Sequence, residues 1–122
     1  MGGPVKKVLV VDDEPLLLEL LEKRLSPHYE VLAAFNGEEG LESAMNHRPD
    51  LILSDLLMPK MDGFELRRTL RLHEHTREIP FVILSAVADM SSIEKAKELG
   101  ILDYLIKPMH LEELPGLIKR YV

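Results

Sequence analysis

The feature that most constrains this chain is where its chemically active residues fall: each sits directly after a short apolar run. Asp12 and Asp13 follow Val8-Leu9-Val10-Val11, and Asp55 follows Leu51-Ile52-Leu53-Ser54. Ser85 follows Phe81-Val82-Ile83-Leu84, and Lys107 follows Tyr104-Leu105-Ile106. Continuous apolar runs of this length read as strands buried on both faces, as in parallel sheets. Parallel strands point one way, so all five side chains emerge at the same carboxyl-terminal sheet edge. Open α/β sheets bind ligands there. Three carboxylates, a hydroxyl and a lysine at one edge suit a divalent cation and a phosphoryl group.

The segments between these runs read as helices, giving about five strand–helix alternations. Strands are predicted over 6–11, 29–34, 51–54, 81–84 and 103–106. The first helix follows with Asp13 near its N-cap, Pro15 at a tolerated early position, and leucines at 16, 17, 18, 20, 21 and 25. Asn36-Gly37 turns into a helix to about Asn46, and helices are expected over 64–73 and 93–99, the latter stopped by Gly100. The last helix, about 111–121, contains Pro115 and Gly116, so it is expected to kink or to start effectively near Pro115. This alternation predicts a parallel sheet covered on both faces.

The 122 residues read as one domain, with no linker or repeat to divide them. Met1-Gly2-Gly3-Pro4 is set aside as a ragged or engineered start. A net charge of −6 argues against direct nucleic-acid binding, and no apolar stretch is long enough to span a membrane. The absence of cysteine removes thiolate chemistry and fits a cytoplasmic setting.

Four segments in order resemble the receiver domain of two-component response regulators, over essentially the whole chain from Val8. They are Val-Val-Asp-Asp-Glu-Pro at 10–15, Asp-Leu-Leu-Met-Pro-Lys-Met-Asp-Gly at 55–63, Leu-Ser-Ala at 84–86 and Asp-Tyr-Leu-Ile-Lys-Pro at 103–108. The resemblance implies a doubly wound, flavodoxin-like five-stranded parallel sheet of order 2-1-3-4-5, with the site between strands one and three. It implies Asp55 as phosphoryl acceptor, with Mg²⁺ or Mn²⁺ held by Asp13, Asp55 and the Leu57 backbone carbonyl, and by Asp12 largely through water. Lys107 then meets the phosphoryl group, Ser85 is the switch hydroxyl, and Tyr104 is the switch aromatic that turns inward. The small Ala86 keeps the phosphoryl path open, and a cis Lys107–Pro108 bond is expected. Read alone, Asp12, Asp13, Asp55 and Ser85 are equally caps or turn residues, and Lys107 is a surface lysine.

The function so implied is a phosphorelay switch rather than an enzyme, with at most self-phosphorylation and self-dephosphorylation. Its expected partners are a histidine kinase or histidine phosphotransfer protein and a downstream protein or output domain. Pairing of two copies through the last elements is a further expectation, which Pro115-Gly116 disturbs. A Mg²⁺-dependent phosphatase would carry a carboxylate two residues past its nucleophile, where this chain has Leu57. A flavodoxin-like cofactor carrier would need a Ser/Thr/Gly-rich phosphate loop after strand one, and this chain has Asp12-Asp13-Glu14. A degenerate receiver acting only as a docking module fits poorly with the intact acidic, hydroxyl and lysine set. His73 and His75 do not share a helix face, and all five histidines read as solvated surface. Met58 and Met61 read as packing residues. The apolar Leu57 and Val87 predict a long-lived phosphoaspartate. The chain stops where its last helix should end, compatible with a stand-alone regulator or with a receiver cut from a larger protein.

Overall fold

A computed structural model describes residues 4–122; the segment set aside above lies outside these except for Pro4. The elements are β1 (Lys7–Val11), α1 (Pro15–Leu25), β2 (Glu30–Ala34), α2 (Gly37–His47), β3 (Leu51–Ser54) and α3 (Gly63–Arg71). They continue with β4 (Phe81–Ser85), α4 (Met90–Glu98), β5 (Asp103–Ile106), a single 3₁₀ turn at Leu111–Glu113, and α5 (Leu114–Ile118). The strands form one parallel sheet of order β2-β1-β3-β4-β5, the expected order. β1 thus pairs with β2 on one side and β3 on the other, so the winding reverses between β1 and β3. A crevice opens at the carboxyl ends of strands at such a reversal.

Strand residues alternate between two apolar layers. Leu9, Val11, Ile52, Phe81 and Ile83 pack toward α2, α3 and α4 with Ala44, Leu66, Leu70 and Ala96. Val8, Val10, Leu51, Leu53, Val82 and Leu84 pack toward α1 and α5 with Leu18, Leu21, Leu25, Leu114 and Ile118. Each central strand contributes to both layers, which is why these runs are apolar throughout. Met58 and Met61 pack against the first layer, as expected of gap-filling thioethers.

Three helix ends depart from the expectations. Glu14, not Asp13, occupies the N-cap position of α1, and its side chain makes no capping bond. The Asp12 carboxylate takes the Glu14 backbone N–H instead, at 3.0 Å. α4 begins at Met90, three residues early, because Asp89 accepts from the Ser92 backbone N–H and both serine hydroxyls. The last helix, α5, starts beside Pro115 as the proline predicts, with a 3₁₀ turn over Leu111–Glu113 ahead of it, but it ends at Ile118 rather than near 121. Gly100 terminates α4 at φ 72°, as expected.

Candidate functional site

Strand register builds the site before any side chain is considered. Val11 lies opposite Ser54, Ser54 opposite Ile83, and Ser85 opposite Ile106. The next residue along each strand therefore falls on a common edge: Asp12, Asp55 and Lys107, with Ser85 closing β4. Backbone bonds extend the ladders one step past the strands, from Asp55 N–H to Val11 C=O at 2.8 Å and from Lys107 N–H to Ser85 C=O at 2.9 Å. The edge is thus fixed by the sheet rather than by loops. The Lys107–Pro108 peptide bond is cis.

Asp12, Asp13 and Asp55 each place a carboxylate oxygen within 4.8 Å of the others. Asp12 and Asp55 are buried and Asp13 is exposed at the lip. Lys107 extends its ammonium among them, 2.9 Å from Asp12 Oδ2, 3.4 Å from Asp55 Oδ2 and 3.5 Å from Glu14 Oε1. One ammonium pairs with three carboxylates, and Asp13 adds a fourth acid to the cluster, a surplus of negative charge that a divalent cation would neutralise. Oxygen donors alone suit a hard cation such as Mg²⁺ or Mn²⁺, so the residues fit the metal. The cluster contains no histidine, and all five histidines are exposed.

The two halves of the Asp12–Lys107 pair respond differently to burial. Burial pushes the Asp12 carboxyl up, and the bonds from Lys107 and the Glu14 N–H only partly oppose it. Burial would lower the Lys107 ammonium, but the Asp12 hydrogen bond and the charges of Asp55 and Asp12 outweigh it and raise it. The asymmetry follows from number: the lysine meets several carboxylates, whereas Asp12 meets one ammonium and another carboxylate.

Around the acids the backbone is held closely. Asp55 Oδ1 accepts from the Leu56 N–H at 2.7 Å, and Ser54 Oγ donates to the Asp55 carbonyl at 2.7 Å. Gly63 passes so near that a Cβ there would lie 2.6 Å from the Asp55 carbonyl oxygen, which explains the Asp62-Gly63 pair. Leu57 turns its side chain to solvent, and Val87 is half-buried against the core.

Ser85 is buried, and its Oγ accepts the Val87 N–H at 3.2 Å. The Tyr104 hydroxyl donates to the Val87 carbonyl at 2.6 Å. One residue of the β4–α4 loop therefore contacts both the buried hydroxyl and the strand-five aromatic. Sequence reasoning identified Ser85 and Tyr104 but not this link, because backbone acceptors leave no residue-type signal. It also missed the Glu14 contact to Lys107, for which the third acid after β1 was the available clue.

The family described as response regulator receiver domain matches residues 8–119 of this chain. The chain belongs to that family. The receiver domain is 38% identical over 115 residues to the probable transcriptional regulator ycf27 of Porphyridium aerugineum, covering 93% of this chain and 47% of the relative. It is 36% identical over 109 residues to the DNA-binding dual master transcriptional regulator RpaA of Synechocystis, covering 88% and 45%. Among solved structures it resembles the Vibrio cholerae chemotaxis protein CheY4, with TM-score 0.91, 31% identity, and coverage of 98% of this chain and 100% of that one. The receiver domain thus spans about half the length of the curated transcriptional regulators it matches. No helix among the described residues is long and apolar enough to cross a membrane.

Proposed function

We propose that Asp55 accepts a phosphoryl group from the phosphohistidine of a histidine kinase or histidine phosphotransfer protein. The observation that carries this reading is the buried Asp55 carboxylate within a three-acid cluster, with Lys107 bridging Asp55 and Asp12. An Asp55 oxygen attacks phosphorus as the phosphorus–nitrogen bond breaks, and the electron pair leaves on the imidazole. Asp13, Asp55 and the Leu57 backbone carbonyl would hold Mg²⁺ or Mn²⁺, with Asp12 acting largely through water, and the bound ion would supply charge neutralisation to the transferring group. Lys107 supplies a fixed positive charge to the same oxygens, so catalysis is chiefly positioning and electrostatics.

The product carries about two negative charges and strong acceptor oxygens. Ser85 then donates its hydroxyl to one of them and gives up the Val87 N–H. Because Val87 also holds Tyr104, this rearrangement biases the face formed by α4, β5 and α5. That face engages a downstream protein or an output domain, a reading supported by the match to transcriptional regulators about twice the length of this chain. A protein donor is supported by the apolar groove beside the acids, where Leu16 and Leu20 are exposed next to Glu14 and Lys107. The domain turns over no separate substrate, because Leu57 stands where a phosphatase would carry its second carboxylate.

Intact-protein mass spectrometry with acetyl phosphate tests the acceptor. One phosphoryl adduct requiring both Mg²⁺ and Asp55, and absent from Asp55→Asn, is the expected outcome. An adduct of equal size on Asp55→Asn overturns the assignment.

A further inference from the structure

The end of the molecule opposite the acids carries a surface of the other charge. Two adjoining clefts of about 450 and 540 Å³ run between α1 and the last turns of the chain and share His28 and Pro115. Lys23, Arg24 and His28 line one, and Lys6, His28 and Lys119 the other. All five side chains are exposed. The lining holds two anionic groups, Glu112, which lies 3.6 Å from His110, and the terminal carboxylate of Val122, against four lysine and arginine side chains. Lys23 has Glu19 at 3.5 Å on its own helix, and no carboxylate among the described residues pairs with Lys6, Arg24 or Lys119. In a chain of net charge −6, such a gathering of cations departs from the overall balance.

Gly116 supplies an independent observation. It lies inside α5, where glycine weakens a helix relative to alanine. Its backbone is not left-handed, and a Cβ there would meet nothing within 4 Å. Neither dihedral angle nor packing within this chain requires glycine. What the missing side chain leaves is an open strip along the cleft where another backbone can approach closely. Leu20, Leu111 and Pro115 give the trough an apolar floor.

We propose that this trough docks an extended acidic peptide segment of a partner protein. Its carboxylates meet the Lys/Arg rim, its backbone passes over Gly116, and an apolar side chain rests on Leu20 and Pro115. A nucleic acid fits less well: its long run of phosphates would face a net-negative chain, and the apolar floor would go unused. The trough adjoins the groove beside the acids at Leu20 and Leu111, but its cations lie away from the phosphoryl site. α1 spans 11 residues, so its C-terminal cations stand about 15 Å along the helix from the acid-bearing end.

The test is fluorescence anisotropy with a short fluorescein-labelled peptide of alternating glutamate and leucine, run on the whole chain. The same peptide with lysine for glutamate and a labelled single-stranded oligonucleotide are the comparison probes. Expected results are saturable binding of the acidic peptide, with amide shifts in nuclear magnetic resonance spectra centred on Arg24, His28 and Gly116. The double reversal Arg24→Glu/Lys119→Glu weakens that binding about tenfold or more, as expected when complementary charges become repulsive. Gly116→Ala keeps the fold, checked by circular dichroism, and weakens the peptide measurably. Phosphorylation by acetyl phosphate is unchanged in both variants, and peptide binding is unchanged in Asp55→Asn. Absence of saturable binding overturns the proposal. So does an oligonucleotide that binds as tightly through the same cations, or an affinity indifferent to Gly116→Ala.

Discussion

Asp12 is held in an environment that disfavours its own charge. Its folded carboxyl is raised above the usual 3.8 by burial, so the folded state retains the proton to higher pH than the unfolded chain. Stability from this group is therefore gained as pH falls from the raised value toward 3.8 and forfeited at neutral pH. In chelator at neutral pH, Asp12→Asn is expected to melt several degrees above the wild type. Melting curves on acidification should bring the two together. Leu57 and Val87 govern a different quantity. Neither side chain can orient a hydrolytic water, so polar replacement of both, Leu57→Asn with Val87→Glu, should shorten the phosphoaspartate lifetime about tenfold. Decay of the phosphoryl adduct followed by mass measures it, and an unchanged lifetime defeats the argument. The acids, Ser85 and Lys107 were legible in sequence because each abuts a strand end. Val87 as the joint between Ser85 and Tyr104 was not, since the contacts use its peptide group rather than its side chain.

At the level of elements, Arg67 joins parts that the apolar pattern alone would leave separate. It is 8% exposed on α3, and its guanidinium donates to the carbonyls of Leu99, Arg77 and Ile79 at 3.1, 3.4 and 3.3 Å. It also lies 6.0 Å from the Phe81 ring centroid. α3, the loop before β4 and the end of α4 are thereby tied together. Arg67→Met leaves three carbonyls without this donor and should cost roughly 2–4 kcal/mol in urea unfolding, with the acceptor chemistry intact in the folded fraction. No sequence rule marks such an arginine as buried, because its partners are carbonyls up to 32 residues away. The start of α4 was obscured for a local reason. Met90-Ser91-Ser92 shows no apolar period, and the helix begins there because Asp89 caps it. β3 and β5, by contrast, have the predicted bounds, since short apolar runs flanked by polar residues admit few alternatives.

Across the whole molecule charge is divided by position, with acids at the carboxyl-terminal sheet edge and a cationic trough at the far end of α1. A divalent cation binding only the folded chain should raise its stability. At ten times its dissociation constant, Mg²⁺ contributes about 1.4 kcal/mol. Thermal melts across a magnesium titration should show that rise in the wild type and a smaller one in Asp55→Asn. Equal rises would place the cation elsewhere. The sheet order was readable only through family resemblance, because periodicity identifies strands without ordering them. The register that orders them has a temporal consequence. The Lys107–Asp12 contact closes a separation of 95 residues, and Lys107 directly follows β5, made after the other four strands of the sheet. A nascent chain still threading from the ribosome therefore presents Asp55 without its lysine until β5 has joined the sheet.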